Sequence, residues 1–345
     1  MKLCTPLRQW WVACAFLAAT LTTGCGDVEL PDVEDLTRSK QSTKTDTSVA
    51  ETKSDPVELS PEQVIANFKA KSSLNITDDD LTQLAAQAGE LDQITEIDLS
   101  AATVSLKGIT SLAALPNLRT LNLQATNVTD RQWTGLGKLT SLEHLNISRT
   151  VTNDASLAEI GKLTGLKSLD ISETQITDKG FASLAGLSQL EKLNVSGIDL
   201  DGSLLKYFAS TAPLRSVTAN NTRFGNLGFV HIKEFPNMQH LHCSHAQVTD
   251  GSMAGLRSVR SLLTAKLSHN LIGNEGVIAL AQSAGLQEVE LAANRAVGDI
   301  GIASLTRLKK LKTLNVQDTS CTSDGLNKMK KLRPECMITF QGKTL

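Results

Sequence analysis

The chain has 345 residues, of which 41% are hydrophobic and 3% aromatic, and its formal net charge is −2. A charge this close to balance argues against a nucleic-acid-binding protein, which presents a basic face. The three cysteines beyond residue 25, at positions 243, 321 and 336, are widely separated, so the sequence contains neither a disulfide framework nor a paired-cysteine metal motif.

Residues 1–24 have the pattern of a signal peptide. Lys2 and Arg8 form a positively charged segment before an apolar stretch, residues 10–21. This stretch is too short for a membrane span of about 20 residues but is typical of an export leader. Residues 21–25, Leu-Thr-Thr-Gly-Cys, resemble a lipobox, with the leucine four residues before the cysteine. The resemblance implies that Cys25 is lipidated and anchors the mature chain to a membrane. An ordinary secretory signal and a retained membrane helix are the alternatives.

Residues 25–59 are predicted to hold the lipidated cysteine and a disordered tether. They are rich in Thr, Ser, Lys, Asp and Glu and contain few large apolar side chains, so they cannot bury enough surface to offset the entropy of ordering. At about 3.3 Å per residue, such a tether extends to on the order of 100 Å.

Residues 60–93 are predicted to form a helical cap. Ser60-Pro61-Glu62-Gln63 is a capping box with proline at the first helical position. Residues 77–81, Thr-Asp-Asp-Asp-Leu, resemble the second half of a repeat that lacks its strand.

An internal repeat follows, over residues 94–340. Apolar residues recur every 24 positions, and the series extends back to Ile94 and on, after a one-residue insertion, to Leu311: Leu118, Leu142, Leu166, Leu190, Leu214, Met238, Leu262 and Leu286. We number each repeat from this residue as position one. The shared template is L-x-x-L-x-L-x-x-T-x-I-T-D-x-G-L-x-x-L-x-x-L-x-x. It resembles the leucine-rich-repeat family, nearest to bacterial leucine-rich-repeat lipoproteins and to F-box-associated repeats.

Each repeat is predicted to be a strand, a turn and a helix. Positions four and six, such as Leu169 and Ile171, share one side of a strand and stack into apolar ladders; Cys243 and Cys321 fall on core columns, whereas Ser172 is expected to be exposed. The Thr-Asp step at positions twelve and thirteen can cap the next helix. The resemblance implies an α/β fold: a right-handed solenoid, or horseshoe, with a parallel concave sheet, formed by residues 94–345 as about ten repeats and a terminal strand.

Positions three, five and seven are predicted to point from the concave face of the sheet. Position five is polar throughout: Asp98, Asn122, Asn146, Asp170, Asn194, Thr218, His242, Lys266, Glu290 and Asn315. This column is either a solvated strand face or a hydrogen-bonding strip for an extended ligand. The face has no Trp, Tyr or Phe, which are the usual anchors of tight interfaces.

The candidate partner-binding residues lie where this column changes chemistry. They are Asn194, Thr218, Asn220, Asn221, His240, His242, His245, Lys266 and His269. His240 and His242 share a strand face and are weak candidates for a transition-metal or pH-sensitive site; the alternative is a set of ordinary surface histidines. His245 and His269 occupy one column of adjacent repeats.

No catalytic motif, cofactor motif or definite metal site is found, so the sequence predicts a non-catalytic module. Its expected partner is a protein or another envelope ligand bound on the concave face. We expect the lipid anchor to hold the chain at the membrane. We expect no nucleic-acid partner, and we expect the chain to be a monomer. The expected location is the bacterial cell envelope, at a membrane surface or in the periplasm. An intracellular F-box-like adaptor and a solenoid scaffold of an enzyme are the alternatives.

Overall fold

The computed structural model describes residues 59–87, 93–128, 130–208 and 212–345. The predicted signal peptide, Cys25 and nearly all of the predicted tether lie outside the described residues. None of the helices within these ranges is long and apolar enough to cross a membrane.

The described chain begins with a helical cap. Helix α1 is Pro61–Ala70, and both hydrogen bonds of its capping box, between Ser60 and Gln63, are present. Helix α2 is Asp78–Ala85, where Thr77 and Asp80 form a second capping box. Leu81 and Leu84 of α2 are buried, and they close the first end of the core.

A single twelve-stranded sheet runs through the repeats in chain order. All neighbouring strands are parallel except the last pair. The strands are β1 Glu96–Asp98, β2 Thr120–Asn122, β3 His144–Asn146, β4 Ser168–Asp170, β5 Lys192–Asn194, β6 Ser216–Thr218, β7 His240–His242, β8 Thr264–Lys266, β9 Glu288–Glu290, β10 Thr313–Asn315, β11 Met337–Phe340 and β12 Lys343–Thr344. The short antiparallel strand β12 was not predicted.

The register between strands is the one that the repeat predicts. Leu121 pairs with Leu145, and Leu145 with Leu169, so position four faces position four throughout. These side chains are no more than 2% exposed and form one core with position six. Cys243 and Cys321 are buried, as their columns predict.

Helical segments return the chain from one strand to the next. The α-helices of the repeats are α3 Leu106–Ser111, α4 Asp130–Leu136, α5 Leu157–Ile160, α6 Gly225–Ile232, α7 Asp250–Met253, α8 Asn274–Leu280, α9 Asp299–Leu305 and α10 Ser323–Leu332. In the fourth and fifth repeats the expectation of an α-helix is wrong, because 3₁₀ turns occupy Gly180–Leu184 and Ser203–Tyr207. Gly202, at φ +87°, directly precedes the second of these turns.

Carboxylate and amide side chains connect several of the helical segments to the repeat before them. Oδ1 of Asp250 accepts the backbone N–H groups of Gly273 and Gly276 at the start of α8, at 2.6 and 2.9 Å. Asn274 does the same for Gly298 and Gly301. The aspartate of the Thr-Asp step therefore caps the helix of the following repeat, and it ties neighbouring repeats together.

Position eight, just beyond each strand, has a left-handed backbone. The residues are Ala101, Ala125, Arg149, Glu173, Gly197, Asn221, His245, His269, Ala293 and Asp318, with φ between 53° and 71°. The turn directs the position-eight N–H to a carbonyl of the next repeat, as from Ala125 to Ser148 at 2.9 Å. The chain accepts this conformation at non-glycine residues because the turn also satisfies buried backbone groups.

Position nine satisfies the carbonyl groups inside this turn. Thr150 and Thr174 donate to the carbonyl of position six of their own repeat, at 2.7 Å. Ala246 has no such group, and Asn270 of the next repeat supplies it instead. Its Nδ2 donates to the carbonyl of Cys243 at 2.7 Å, and its Oδ1 accepts the N–H groups of Ala246 and Val248 at 3.0 Å.

Candidate functional site

The polar column at position five is mostly engaged in local turns. Oδ1 of Asp170 accepts the backbone N–H and the hydroxyl of Ser172, at 2.9 and 2.6 Å, and Asn194 holds Ser196 in the same way. Nδ2 of Asn194 also donates to Asp170 at 2.8 Å. These side chains close the ends of strands. The expectation that Ser172 is exposed is wrong: it is 8% exposed, because its hydroxyl turns back onto Asp170.

The column changes its chemistry at β7. His240 and His242 lie on the same face of that strand, and the Oγ1 atom of Thr264, on β8, lies 2.9 Å from Nδ1 of His240 and 3.1 Å from Nε2 of His242. A hydroxyl can donate to one ring nitrogen and accept from the other. Thr264 can therefore bond to one ring nitrogen of each histidine at the same time.

A three-residue ionic group lies beside the histidines. Nζ of Lys266 is 2.9 Å from carboxylate oxygens of both Glu288 and Glu290, which share the face of β9. About a third of each side chain is exposed, at 33%, 35% and 32%. The hydrogen bonds that Lys266 donates to Glu288 and then to Glu290 raise the pKa of Lys266, and Lys266 lowers the pKa of Glu288. We name His240, His242, Thr264, Lys266, Glu288 and Glu290 the central strip.

Burial and the nearby charge of Lys266 favour the neutral form of His242. Its ring is about half buried, and this burial lowers its pKa most; the positive charge of Lys266 and the ring of His240 lower it further. The carboxylates of Glu288 and Glu290 oppose the shift but do not cancel it. The central strip with neutral imidazoles therefore holds one cation and two anions.

The remaining candidates lie at or beyond the strand ends. His245 and His269, both exposed at position eight, stack with ring centroids 4.1 Å apart and planes 11° from parallel. Burial and then His269 lower the pKa of His245. Asn220 accepts the backbone N–H of Ser244 at 2.9 Å, and Asn221 is an exposed left-handed residue. Thr218 is half-buried on β6, in register with Asn194 and His242.

The arrangement suits hydrogen bonding and charge recognition. In the described part of the chain no three His, Cys, Asp or Glu side chains are grouped so that they could hold a metal ion. His240 and His242 each use one ring nitrogen on Thr264. The thiol groups of Cys243, Cys321 and Cys336 are buried, and burial raises the pKa of each of them.

Sequence reasoning missed Thr264 and Glu288 as members of the site. Both lie at position three, in the repeats directly after the one that contains His240. The sequence could have identified them. Position three lies on the same face of the sheet as position five, and residues 24 apart in the sequence are neighbours on adjacent strands.

The comparisons with known proteins address the fold. A family model described as "Leucine-rich repeat region" matches residues 72–291. Among curated protein sequences no relative matches the chain. A solved structure of an internalin (inlF) from Listeria monocytogenes is similar over 81% of this chain and 87% of its own, with 19% identity and a TM-score of 0.55. The TLR13 chain in the crystal structure of a TLR13–ssRNA13 complex is similar over 72% of this chain and 36% of its own, with 19% identity and a TM-score of 0.54.

The family match covers more than half of the chain, from the part of the cap that contains α2 through the repeats to β9. The parallel register and the buried leucine ladders are the features that the repeat predicts. The chain belongs to the leucine-rich-repeat family.

Proposed function

We propose that the protein is an exported recognition module, lipid-anchored through Cys25 at a bacterial cell envelope, that binds a protein partner on the sheet face at β7–β9. The observation that carries the proposal is the central strip. Elsewhere along the sheet the position-five side chains mostly close local turns, whereas across these three strands they form a partly exposed group of imidazoles and charges.

The chemistry of the strip defines the partner. Two glutamates and one lysine leave one negative charge in excess while the imidazoles are neutral. A partner with an arginine or lysine that reaches Glu288 and Glu290 complements it, and Asn194 and Thr218 on β5 and β6 extend the polar surface. The face has no aromatic anchor, so we expect the charged pairs to contribute more to specificity than to affinity.

The same charge balance gives no reason to expect nucleic acid at this strip, which would require an excess of cations. The proposal includes no catalytic activity and no cofactor, and it treats the chain as a monomer.

The experiment compares variants of the full chain against one partner. The partner is isolated from envelope extracts with the wild-type chain, identified and purified, and its affinity is measured by calorimetry. We expect Glu288→Gln/Glu290→Gln to weaken binding by about tenfold or more, since removing one partner of a charged contact costs about 2 kcal/mol or more. The control is Lys192→Ala, an exposed cation on the same face of β5, which should change the affinity less than about twofold. Equal effects of the two variants would place the partner elsewhere.

Acidification provides a second test of the same site. Protonation of His242 adds positive charge next to the glutamates that receive the partner's cation. Because burial lowers the pKa of His242, we expect affinity to be constant at neutral pH and to fall only in acid, below the usual histidine pKa of about 6.5. A partner that binds more tightly in acid would contradict the proposed charge complementarity.

The anchor is tested by metabolic labelling with a fatty acid. Labelling should disappear in Cys25→Ser and persist in Cys4→Ser, a matched change within the leader. Label retained in Cys25→Ser would remove the lipoprotein proposal while leaving the binding face untouched.

A further inference from the structure

The cations of this protein are concentrated at the carboxyl-terminal end of the solenoid. Residues 307–345 contain nine Lys and Arg side chains and three Asp and Glu side chains, an excess of six positive charges. The whole chain has a charge of −2, so residues 1–306 have a charge of −8. The end of the chain is thus a basic surface on a protein that is otherwise acidic.

Most of these cations are exposed and unpaired. Seven are exposed, and none of the seven has an ion-pair partner among the described residues: Arg307, Lys309, Lys310, Lys312, Lys328, Lys331 and Lys343. The other two have structural roles. Lys330 donates to the carbonyls of Cys336 and Leu345, at 2.7 and 2.9 Å, and Arg333 bonds to the carbonyl of Lys309 and to Glu335.

Exposed aliphatic side chains lie among the cations. An open groove of about 400 Å³ lies between α9 and α10, and Ile300, Ala303, Met329 and Leu332 line it together with Asp299. Ile300 is 69% exposed and Leu332 is 67% exposed. Lys328 lies at the same groove, and Lys331 is adjacent to Leu332 in the sequence. The hydrogen bond from Arg333 to Lys309 holds the end of α10 against the segment that bears Lys309 and Lys310.

Helix stability accounts for few of these residues. A lysine in the last turn of a helix interacts favourably with the helix dipole, which applies to Lys330 and Lys331 in α10. It does not apply to Lys328, to the cations between α9 and β10, or to the exposed Ile300 and Leu332. Two large exposed aliphatic side chains with Lys328 and Lys331 beside them are instead the composition of an interfacial surface, where apolar groups enter the lipid boundary and lysines extend to the headgroups.

We propose that the α9–α10 end of the solenoid, with Ile300, Leu332 and the surrounding lysines, is a docking surface for an anionic phospholipid membrane. A nucleic acid would satisfy the lysines, but its phosphate backbone would not bury Ile300 and Leu332. The docking surface is separate from the central strip, and it does not depend on acylation of Cys25.

The test uses the full chain with Cys25→Ser in every variant, so that no attached lipid contributes. Binding is measured by co-sedimentation with vesicles of phosphatidylcholine alone and of phosphatidylcholine mixed with phosphatidylglycerol. The measured quantity is the binding to the anionic vesicles minus the binding to the neutral vesicles. This subtraction removes the apolar contribution of the leader. We expect this binding to fall sharply between about 0.1 M and 1 M salt, as the screening length shortens from about 10 Å to 3 Å.

Two kinds of variant locate the surface. Lys328→Gln/Lys331→Gln should lower the partition onto anionic vesicles by about tenfold or more, because each lysine near an anionic surface contributes roughly fivefold. The matched control, Lys138→Gln/Lys179→Gln, removes the same charge from two exposed positions elsewhere and should change binding less than about twofold. Leu332→Asn should lower binding by a few-fold at unchanged charge.

Three outcomes would overturn the proposal. One is equal loss in the two double-lysine variants, which would mean that only total charge matters. Another is equal binding to neutral and anionic vesicles. The third combines two results: the chain binds single-stranded DNA through Lys328 and Lys331, and Leu332→Asn leaves vesicle binding unchanged. Together these results would identify a general polyanion-binding surface.

Discussion

Replacing Asn270 by alanine should destabilise the protein strongly. Among the polar residues at position nine, we expect only Asn294→Ala to have a comparable effect. The side chain of Asn270 is 7% exposed, and it serves three backbone groups of the preceding repeat. These are the N–H groups of Ala246 and Val248 and the carbonyl of Cys243. Its bonds to Leu267 and Ser268 matter less, because the carbonyl of Leu267 also receives Asn294 and that of Ser268 receives the N–H of His245.

The magnitude follows from the number of groups left unpaired. Each buried donor or acceptor without a partner costs about 1–3 kcal/mol, so three of them set an upper range of about 3–9 kcal/mol. Water that enters the space left by the amide lowers this cost, and we expect a loss of about 3–5 kcal/mol. Thr174→Ala is the control at the same repeat position. It removes a single bond, to the carbonyl of Ile171 at 2.7 Å, and should cost about 1 kcal/mol.

Urea unfolding followed by circular dichroism measures both losses. Hydrogen exchange of the Ala246 and Val248 amides gives a local readout, since both amides should lose protection in Asn270→Ala and keep it in Thr174→Ala. If Asn270→Ala costs no more than the control, or if the two amides remain protected, the side chain does not connect the repeats as described.

Three further predictions concern the core, the central strip and the thiols. Leu193, whose side chain is 1% exposed, is the core test: Leu193→Ala should lower the free energy of unfolding by about 2–5 kcal/mol. Lys192→Ala, on the opposite face of the same strand, should lower it by less than about 0.5 kcal/mol. Equal losses in urea unfolding would contradict the register. Because folding lowers the pKa of His242, the unfolded chain binds more protons in acid, so stability should be full above about pH 6.5 and fall below it. His242→Gln should flatten this fall, and an unchanged slope would count against the burial effect. Cys243 and Cys336, both 0% exposed, should react with a thiol reagent only after denaturation, as mapped by mass spectrometry, and prompt labelling of the native protein would contradict their burial.

The core could be predicted from the sequence because its signal is a repeated spacing. Each leucine at position four predicts the same face in every repeat, and burial of Leu121, Leu145 and Leu169 follows from that spacing alone. The helical segments were less predictable. The apolar spacing of three that predicts a helix in the fourth repeat is also compatible with the 3₁₀ turn at Gly180–Leu184, because both forms place residues three apart on nearly the same side.

The candidate site was harder to predict, because a column identifies a face and not a bonding partner. The sequence placed Asp170 and Asn194 on the sheet face, but their bonds to Ser172 and Ser196 depend on the turn that follows each strand. The same limit applies at β7, where the histidines were evident in the sequence. Their shared bond to Thr264 required the distance between two strands to be known.

The uniform register has a consequence for how such a protein changes length during evolution. From β1 to β9 each strand pairs with the next at residues 24 apart, and the turns and helix caps repeat with it. A duplicated 24-residue segment, inserted in frame between β3 and β5, would therefore meet on both sides the partners that its parent meets, because each repeat contacts only its neighbours. Recombination between similar repeats can lengthen or shorten the sheet face in whole units, and it leaves the cap and the carboxyl-terminal strands unchanged. The length of the sheet face can therefore change without altering the central strip.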